Sequence, residues 1–221
     1  MDLTDRARSH AALGDAQRLV LIDELALGDR TVAELAERSG MKSNLLAHHL
    51  GVLEDAKIIE RRVSDGDRRR RYVSLRWDQL PHLPHPHLGF GSIVFVCTHN
   101  SARSQFASAI WDAKTGADSS SVGSEPARQV HPLAVQIAAE YGIDLTAAMP
   151  AGYESLDFKP DLVVSVCDRA RESGLPSSGA RLHWSVPDPV DVGTKKAFRD
   201  VFAEIEERVE RLATSSGTSP L

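Results

Sequence analysis

The sequence predicts two domains of different fold class: a mostly helical N-terminal domain with a β-hairpin, and a C-terminal α/β domain whose parallel sheet is flanked by helices. A Pro- and His-rich stretch at residues 80–90 divides the 221-residue chain and can continue neither a helix nor a central strand. Before it, apolar residues recur at helical spacing; after it, short β-branched runs alternate with helical patterns. We expect domains at 1–79 and 91–213, a linker at 80–90 and a flexible tail at 214–221.

The composition excludes several classes of protein. With 42% hydrophobic and 26% charged residues, the chain is not globally disordered, and its two cysteines are too few for a disulfide framework. No apolar run approaches the about 18–20 residues that span a bilayer, and the first residues lack the apolar core of a signal peptide. We expect a cytoplasmic protein with no membrane partner.

Charge is unevenly distributed along the chain. Residues 1–80 contain 14 Lys and Arg against 14 Asp and Glu, whereas residues 81–221 contain 12 against 17, so the net charge of −5 lies in the second part. Within the neutral first part, six arginines occur in the eleven residues 61–71. A basic patch on a balanced domain is typical of a surface that contacts a phosphate backbone.

The first domain contains two short predicted helices around a tight turn. After a helical pattern at 16–27, Thr31 and Glu34 form a predicted capping box that starts one helix, and Gly40 ends it. Ser43 is the predicted N-cap of the next helix. Two helices around such a turn form a helix-turn-helix.

A predicted β-hairpin follows these helices. Its strands cover 58–63 and 70–75, and an Asp-Gly turn signal lies between them. Helices, turn, helix and hairpin in this order form a winged helix-turn-helix. Together with ALGD at 12–15, AHHLGVLEDA at 47–56 and the basic hairpin, this order resembles the ArsR-type transcriptional repressors over roughly residues 5–78.

The resemblance implies a homodimer, formed through the N-terminal domain, that binds a double-stranded DNA operator. It places the second helix of the motif in the major groove and the hairpin along the phosphate backbone. The expected contacts are Lys42, Ser43, Asn44, Ala47, His48, Arg68, Arg69, Arg70 and Arg71. The alternative is a solvated arginine-rich surface and a motif that mediates protein contacts.

The inducer of such a repressor stays open. Many ArsR-type members sense metal or arsenite through cysteines, but residues 1–90 contain no cysteine, so a thiolate site for trivalent arsenic cannot form there. His10 or the linker histidines at 82, 85 and 87 could act with carboxylates instead, although a solvated spacer is the simpler interpretation of the linker. We assign no metal ligand from the sequence.

The second domain begins with a pattern typical of an oxyanion-binding loop. Ser92–Val96 is predicted as a buried strand and Gln105–Lys114 as a helix that ends at Gly116. Backbone N–H groups between a strand and a helix start converge on one spot, where they bind an anion. The expected oxyanion-binding residues are Thr98, His99, Asn100, Ser101, Ala102, Arg103 and Ser104. For His99, simple exposure to solvent is the alternative.

A cysteine followed after five residues by an arginine fits nucleophilic chemistry on that anion. Arg103 can grip two oxygens of a tetrahedral anion, and Cys97 lies at the base of the same positive field, which favours its thiolate. Ser104 could donate to the sulfur, and Asn100 could hold the tight turn. Asp188, which precedes Pro189 after the last predicted strand, is the candidate general acid, though Asp-Pro is also an ordinary turn. The remaining predicted elements are strands at 161–166 and 181–186 and helices at 131–141 and 195–212.

This arrangement resembles the low-molecular-weight protein tyrosine phosphatase family, and within it the arsenate reductases, over about residues 91–212. The matching motifs are VCTHNSARSQ at 96–105, VSVCD at 164–168 and HWSVPDP at 183–189. Two details differ from a tyrosine phosphatase: Val190-Asp191 follow the Asp-Pro pair in place of tyrosines, and the loop has no second cysteine. The resemblance implies a thiol-dependent arsenate reductase.

The resemblance also implies a second thiol, which releases As(III) after Cys97 has attacked arsenate. Thioredoxin-linked members carry two further cysteines; Cys167 matches the first, but Gly174 stands at the second position. Either Cys167 forms a disulfide with Cys97, or a low-molecular-weight thiol resolves the adduct and Cys167 is a buried bystander. The expected reductant is external, namely thioredoxin, glutathione with glutaredoxin, or mycothiol with mycoredoxin, and no bound cofactor is expected.

The leading prediction is therefore a bifunctional protein: a DNA-binding regulator of the arsenic-resistance type joined to an arsenate reductase. Two alternatives stay open. One is a low-molecular-weight phosphatase fused to a regulator, and the other is a non-catalytic repressor that senses an oxyanion in the same loop.

Overall fold

The computed structural model describes residues 3–80 and 88–216, and the chain divides into two compact units. Most of the predicted linker, at 81–87, lies outside the described residues, as do its three histidines and the end of the predicted tail, at 217–221. At the start of that linker, Leu80 is buried in the core of the N-terminal unit. None of the helices in the described part of the chain is long and apolar enough to cross a membrane.

The N-terminal unit combines four helices with a small antiparallel sheet. In chain order its elements are α1 (Leu3–Leu13), α2 (Ala16–Leu25), β1 (Arg30–Thr31), α3 (Val32–Ser39), α4 (Ser43–Asp55), β2 (Ile59–Val63), β3 (Arg71–Leu75) and a 3-10 turn at Trp77–Gln79. The strands lie in the order β1-β3-β2. One apolar core holds the helices against this sheet, with Leu21, Leu35, Leu50 and Val73 fully buried.

The turn between α3 and α4 follows from its local sequence, with one correction. The capping box is confirmed, because the Thr31 side chain accepts from the Glu34 N–H while the Glu34 side chain accepts from the Thr31 N–H. Gly40 ends α3 in the left-handed region, at φ 67°. Ser43 is not the N-cap of α4: Lys42 holds that position in an extended conformation without a side-chain cap, so Ser43 is the first helical residue.

The C-terminal unit is an α/β domain built on a parallel sheet. In chain order its elements are β4 (Ile93–Cys97), α5 (Arg103–Thr115), β5 (Ser120–Gly123), α6 (Pro132–Glu140), a 3-10 turn at Tyr153–Ser155, β6 (Leu162–Ser165), α7 (Asp168–Ser173), β7 (Ala180–His183), α8 (Pro189–Val192) and α9 (Lys195–Ser216). The strands lie in the order β5-β4-β6-β7, all parallel. The order reverses between β4 and β6, where ligands bind in sheets of this kind.

Several element boundaries differ from the predicted ones. Strand β5 was not predicted, because Ser120–Gly123 carries a single β-branched residue. Helix α5 starts two residues early, at Arg103, since the Phe106 N–H already bonds to the Ala102 carbonyl. Strand β7 covers Ala180–His183 in place of the predicted 181–186. Its last residue pairs with Ser165, the last residue of β6. The first three residues of the predicted tail, 214–216, continue α9.

Candidate active site

Cys97 ends β4 at the base of the predicted oxyanion loop. It is buried, and its Sγ accepts the backbone N–H of Asn100 at 3.1 Å and lies 3.0 Å from Ser104 Oγ. In the sheet, Cys97 is paired with Gly123 of β5. A Cβ at Gly123 would lie 2.6 Å from the Thr98 carbonyl oxygen, so only glycine allows the loop to rest directly on this strand.

A chain of side-chain hydrogen bonds orients the hydroxyl that faces the sulfur. The Asn100 amide oxygen accepts from the Ala151 N–H at 2.9 Å and from Gln105 Nε2 at 3.0 Å, which leaves its NH2 group to donate to Ser104 Oγ at 2.8 Å. Ser104 thus accepts one bond and has its own hydrogen available for Cys97 Sγ.

The loop conformation depends on Asn100 and on Gln105. Asn100 is fully buried and adopts φ 48°, a left-handed conformation that asparagine tolerates better than most residues. Gln105 also bonds to the Asn100 carbonyl at 3.1 Å. Sequence reasoning named Asn100 for the tight turn but assigned no role to Gln105. Its position directly after the loop, in the first turn of α5, was the available signal.

The other loop residues are mostly buried, whereas His99 is exposed. Thr98, Ala102 and Ser104 are buried and Ser101 is half-buried. His99 is exposed, yet its Nδ1 lies 3.0 Å from the Glu125 carbonyl oxygen, so the ring is held in place at the edge of the loop. The loop is therefore packed against its unit and leads directly into the first turn of α5.

Arg103 brings a buried positive charge to the loop. One guanidinium nitrogen donates to the Val186 carbonyl at 3.0 Å and another to Asp188 Oδ2 at 2.5 Å. Burial opposes the charge, but the nearby Cys167, Asp188 and Cys97 outweigh it and raise the pKa of Arg103 above that of a free guanidinium. Arg103 is therefore a permanent cation whose charge acts on both thiols of the site.

Asp188 lies between β7 and α8, and its side chain contacts Arg103 of the loop. It is the N-cap of α8, and its Oδ1 accepts the Val190 N–H at 3.1 Å while its Oδ2 contacts Arg103. Its side chain is buried almost completely. The arrangement brings a carboxyl group to the cation of the predicted oxyanion loop, where a general acid would be needed.

Cys167 lies next to the same loop, on the other side of the reversal in strand order. It is the N-cap of α7, its Sγ accepts the Ala170 N–H at 3.3 Å, and it lies 3.3 Å from Thr98 Oγ1. Burial raises the pKa of the Cys167 thiol, although Arg103 acts in the opposite direction. Both thiols are free, so the site holds two sulfur atoms in the reduced state.

The end of α7 carries Gly174, the position at which a third cysteine is missing. Its backbone adopts φ 120°, a conformation that side chains rarely adopt. Its carbonyl accepts the hydroxyl of Tyr153 at 3.1 Å. Burial, followed by the nearby Cys167, raises the pKa of Tyr153 to about 12, so this phenol remains a donor at neutral pH.

The residues predicted to contact DNA all belong to the N-terminal unit. All are exposed, those of α4 and its start as well as those of the hairpin: Lys42, Ser43, Asn44, Ala47, His48, Arg68, Arg69, Arg70 and Arg71. His49, the neighbour of His48, is buried instead. Across residues 3–80 and 88–216, no group of three or more His, Cys, Asp or Glu side chains is placed to hold a metal ion.

Comparison with known proteins places this site in a family context. Residues 92–218 match the family model described as low molecular weight phosphotyrosine protein phosphatase. An arsenate reductase of Halalkalibacterium halodurans is 37% identical over 131 residues, which cover 55% of this chain and 94% of that protein. A glutaredoxin arsenate reductase of Synechocystis sp. is 35% identical over 129 residues, with 54% and 94% covered. A solved structure of an arsenate reductase in the phosphate binding state is 30% identical, with a TM-score of 0.51, and 57% of this chain and 98% of that one are covered.

Proposed function

Since the chain belongs to the low-molecular-weight phosphotyrosine protein phosphatase family, we propose that its C-terminal unit is a thiol-dependent arsenate reductase with Cys97 as nucleophile. One observation carries the proposal. The Cys97 sulfur is held between the Asn100 N–H and the Ser104 hydroxyl, in a loop whose arginine is buried beside it, and a second free thiol contacts the same loop. A phosphatase needs the backbone N–H, the hydroxyl and the arginine around its cysteine. A two-electron reductase also uses the second thiol.

The first step is attack of the Cys97 thiolate on arsenic. A sulfur–arsenic bond forms, one arsenic–oxygen bond breaks, and the leaving oxygen departs as water once Asp188 or solvent has supplied a proton. Arg103 and the loop N–H groups neutralise the charge on the remaining oxygens. Arsenic is still pentavalent in this adduct.

The second step transfers two electrons to arsenic. A second thiolate attacks the Cys97 sulfur, a disulfide forms, the sulfur–arsenic bond breaks, and its electron pair stays on arsenic as As(III). Arsenate, two thiols and a proton thus give arsenous acid, a disulfide and water. Cys167 is the thiol that the geometry favours for this role, because it contacts Thr98 in the loop. An external thiol system then reduces the disulfide, which places the activity in a reducing compartment such as the cytoplasm.

The test is arsenate-dependent turnover with thioredoxin, glutathione with glutaredoxin, and mycothiol with mycoredoxin, run in parallel. We expect arsenite formation with at least one system. An aryl phosphate substrate forms the second arm. Phosphate release with no arsenite from any reductant would identify a phosphatase, and binding of both anions without turnover would identify an oxyanion sensor.

For the N-terminal unit we propose DNA binding as a homodimer, which would make the chain a regulator as well as an enzyme. The support is the order of α3, the Gly40 turn, α4 and the β2–β3 hairpin, together with the exposure of all the predicted contact residues. Helix α4 buries its apolar side in the core and presents Asn44, Ala47 and His48 outward.

Salt dependence tests this proposal. Replacing Arg68, Arg69, Arg70 and Arg71 by alanine removes up to four phosphate contacts, and each lost contact lowers the log–log salt slope by about 0.9. The measurement is DNA affinity against salt concentration, with the oligomeric state followed by sedimentation. Replacing the exposed Arg6 and Arg8 of α1 by alanine is the matched control, because it removes positive charge outside the predicted interface. An unchanged salt slope in the variant without the four hairpin arginines would show that the hairpin does not contact DNA.

A further inference from the structure

One buried imidazole joins two residues that lie on either side of Cys167 in the sequence. His183 of β7 is fully buried; its Nδ1 lies 2.9 Å from Ser165 Oγ and its Nε2 lies 3.1 Å from Asp168 Oδ1. Ser165 ends β6 two residues before Cys167, and Asp168 is the residue directly after it. His183 therefore bridges the turn that carries the thiol.

The hydrogen bonds of this chain hold the imidazole at both ring nitrogens. The Ser165 hydroxyl donates to the Leu182 carbonyl at 3.2 Å, and its oxygen lies against His183 Nδ1. A carboxylate oxygen accepts, so Nε2 donates to Asp168. The ring is therefore fixed between the end of β6 and the start of α7.

The buried hydrogen bonds of Ser165, His183 and Asp168 are not explained by the stability of the fold alone. Desolvation of a buried His and Asp pair offsets much of its attraction, and apolar side chains of the same volume commonly stabilise a fold equally well. The chain also connects the two ends of the turn between β6 and α7, Ser165 and Asp168, where an error of about 1 Å can slow a reaction about a hundredfold.

We propose that Ser165, His183 and Asp168 are positioning residues that hold the Cys167 thiol against the oxyanion loop for attack on the Cys97 sulfur. This inference rests on the proposed function, in which Cys167 completes the disulfide. The bond that forms joins the two sulfurs, the sulfur–arsenic bond breaks, and the electron pair leaves with arsenic. The three residues act through Cys167 and do not contact the reacting atoms.

The experiment follows formation of the Cys97–Cys167 disulfide in a single turnover with arsenate, by quenching and mass spectrometry. Asp168→Asn and His183→Asn are expected to slow it about ten- to a hundredfold. In His183→Gln the side-chain amide reaches about as far as Nε2 and keeps a donor for Asp168, so this variant should recover most of the rate. Asp112→Asn is the matched control, because it alters a half-buried carboxylate on α5 whose partner is Ser119.

Two further measurements separate positioning from general stability. Phosphate affinity and the rate of Cys97 alkylation, measured in the same variants, should stay unchanged. Loss of all three properties together would overturn the inference, as would unchanged disulfide formation in Asp168→Asn and His183→Asn.

Failure of the proposed function is distinguishable from failure of this inference. The same variants are oxidised with diamide, which forms the disulfide without arsenate. If no thiol system yields arsenite but the diamide series keeps the expected order, the reductase proposal fails and the positioning role stands. If the wild-type protein reduces arsenate without forming the disulfide, the positioning role is overturned and the reductase stands.

Discussion

The turns after β4 and β6 have the same local design and very different surroundings. Each carries a buried cysteine between a parallel strand and a helix, and each sulfur accepts the backbone N–H three residues further on, at 3.1 Å for Cys97 and 3.3 Å for Cys167. Around Cys97, however, Ser104 supplies a hydroxyl from its own loop. Around Cys167, burial dominates and raises the pKa of the thiol.

This difference shows that a strand–cysteine–helix turn does not by itself fix the surroundings of its sulfur. The surroundings of each sulfur depend on which groups the chain after that cysteine brings close to it. The loop after Cys97 is long enough to return Ser104 to its own sulfur and to carry Arg103, whose charge acts on both thiols, whereas Cys167 is followed at once by the six residues of α7. The two turns meet because β4 and β6 are neighbours on either side of the reversal in strand order.

The largest expected effect comes from removing the first sulfur. Cys97→Ser should lower arsenate reduction at least about 10³-fold, because no covalent adduct can form. Phosphate affinity should be retained, since most donors of the loop are backbone N–H groups. Arsenite formation and calorimetry with phosphate measure the two effects. Normal reduction by this variant would contradict the entire reductase scheme.

Arg103 should affect both binding and turnover. Arg103→Ala is expected to lower turnover by about 10²–10³-fold, since it removes the charge that stabilises the anion during attack. It should also weaken phosphate binding. Arg103→Lys keeps the charge but loses the two-pronged contact, so its values should lie between those of alanine and wild type. An unchanged dissociation constant for phosphate in Arg103→Ala would place the anion elsewhere.

Cys167→Ser should have a smaller effect that depends on the reductant. With thioredoxin we expect turnover to fall about ten- to a hundredfold, because an intramolecular thiol is replaced by a bimolecular one. With a small thiol in excess, the loss should be less, since that thiol can reach the adduct directly. Equal turnover of variant and wild type with every reductant would make Cys167 a bystander.

The pH dependence of the second step gives the finest test of the comparison. Because burial raises the pKa of Cys167, its thiolate is the minor form at neutral pH and increases about tenfold per pH unit until the pKa is reached. The rate of disulfide formation between pH 7 and 9 should rise accordingly in rapid-quench experiments. In Cys167→Ser, the single-turnover rate should follow the pKa of the added thiol instead. A flat profile in the wild type would contradict a protonated resting Cys167.

Local sequence signals predicted the parts of the fold and of the site that local interactions determine. The capping box at Thr31, the buried strand before Cys97 and the run of small polar residues up to Ser104 are readable because each depends on neighbours within a few positions. The predicted N-cap of α4 was wrong. Lys42 holds that position without a side-chain hydrogen bond, although Ser43 is the better capping residue by type.

The contacts between distant segments were not predictable in this way. The bond of Ala151 to Asn100 joins residues 51 positions apart, and the contact of Thr98 with Cys167 joins residues 69 apart. Strand β5 carries too little β-branched character to be recognised, and its place at the sheet edge follows from packing. Only the assembled sheet brings these groups together.

The glycine opposite Cys97 makes the enzyme sensitive to a change that touches none of its chemistry. Gly123 is buried at the end of an edge strand, and a single added methyl group there would press on the backbone at Thr98 and Asn100. The sheet and its core would keep their other contacts, while the amides that face the anion would be displaced. Gly123→Ala should therefore lower activity while the fold is retained, although Gly123 has no functional group of its own.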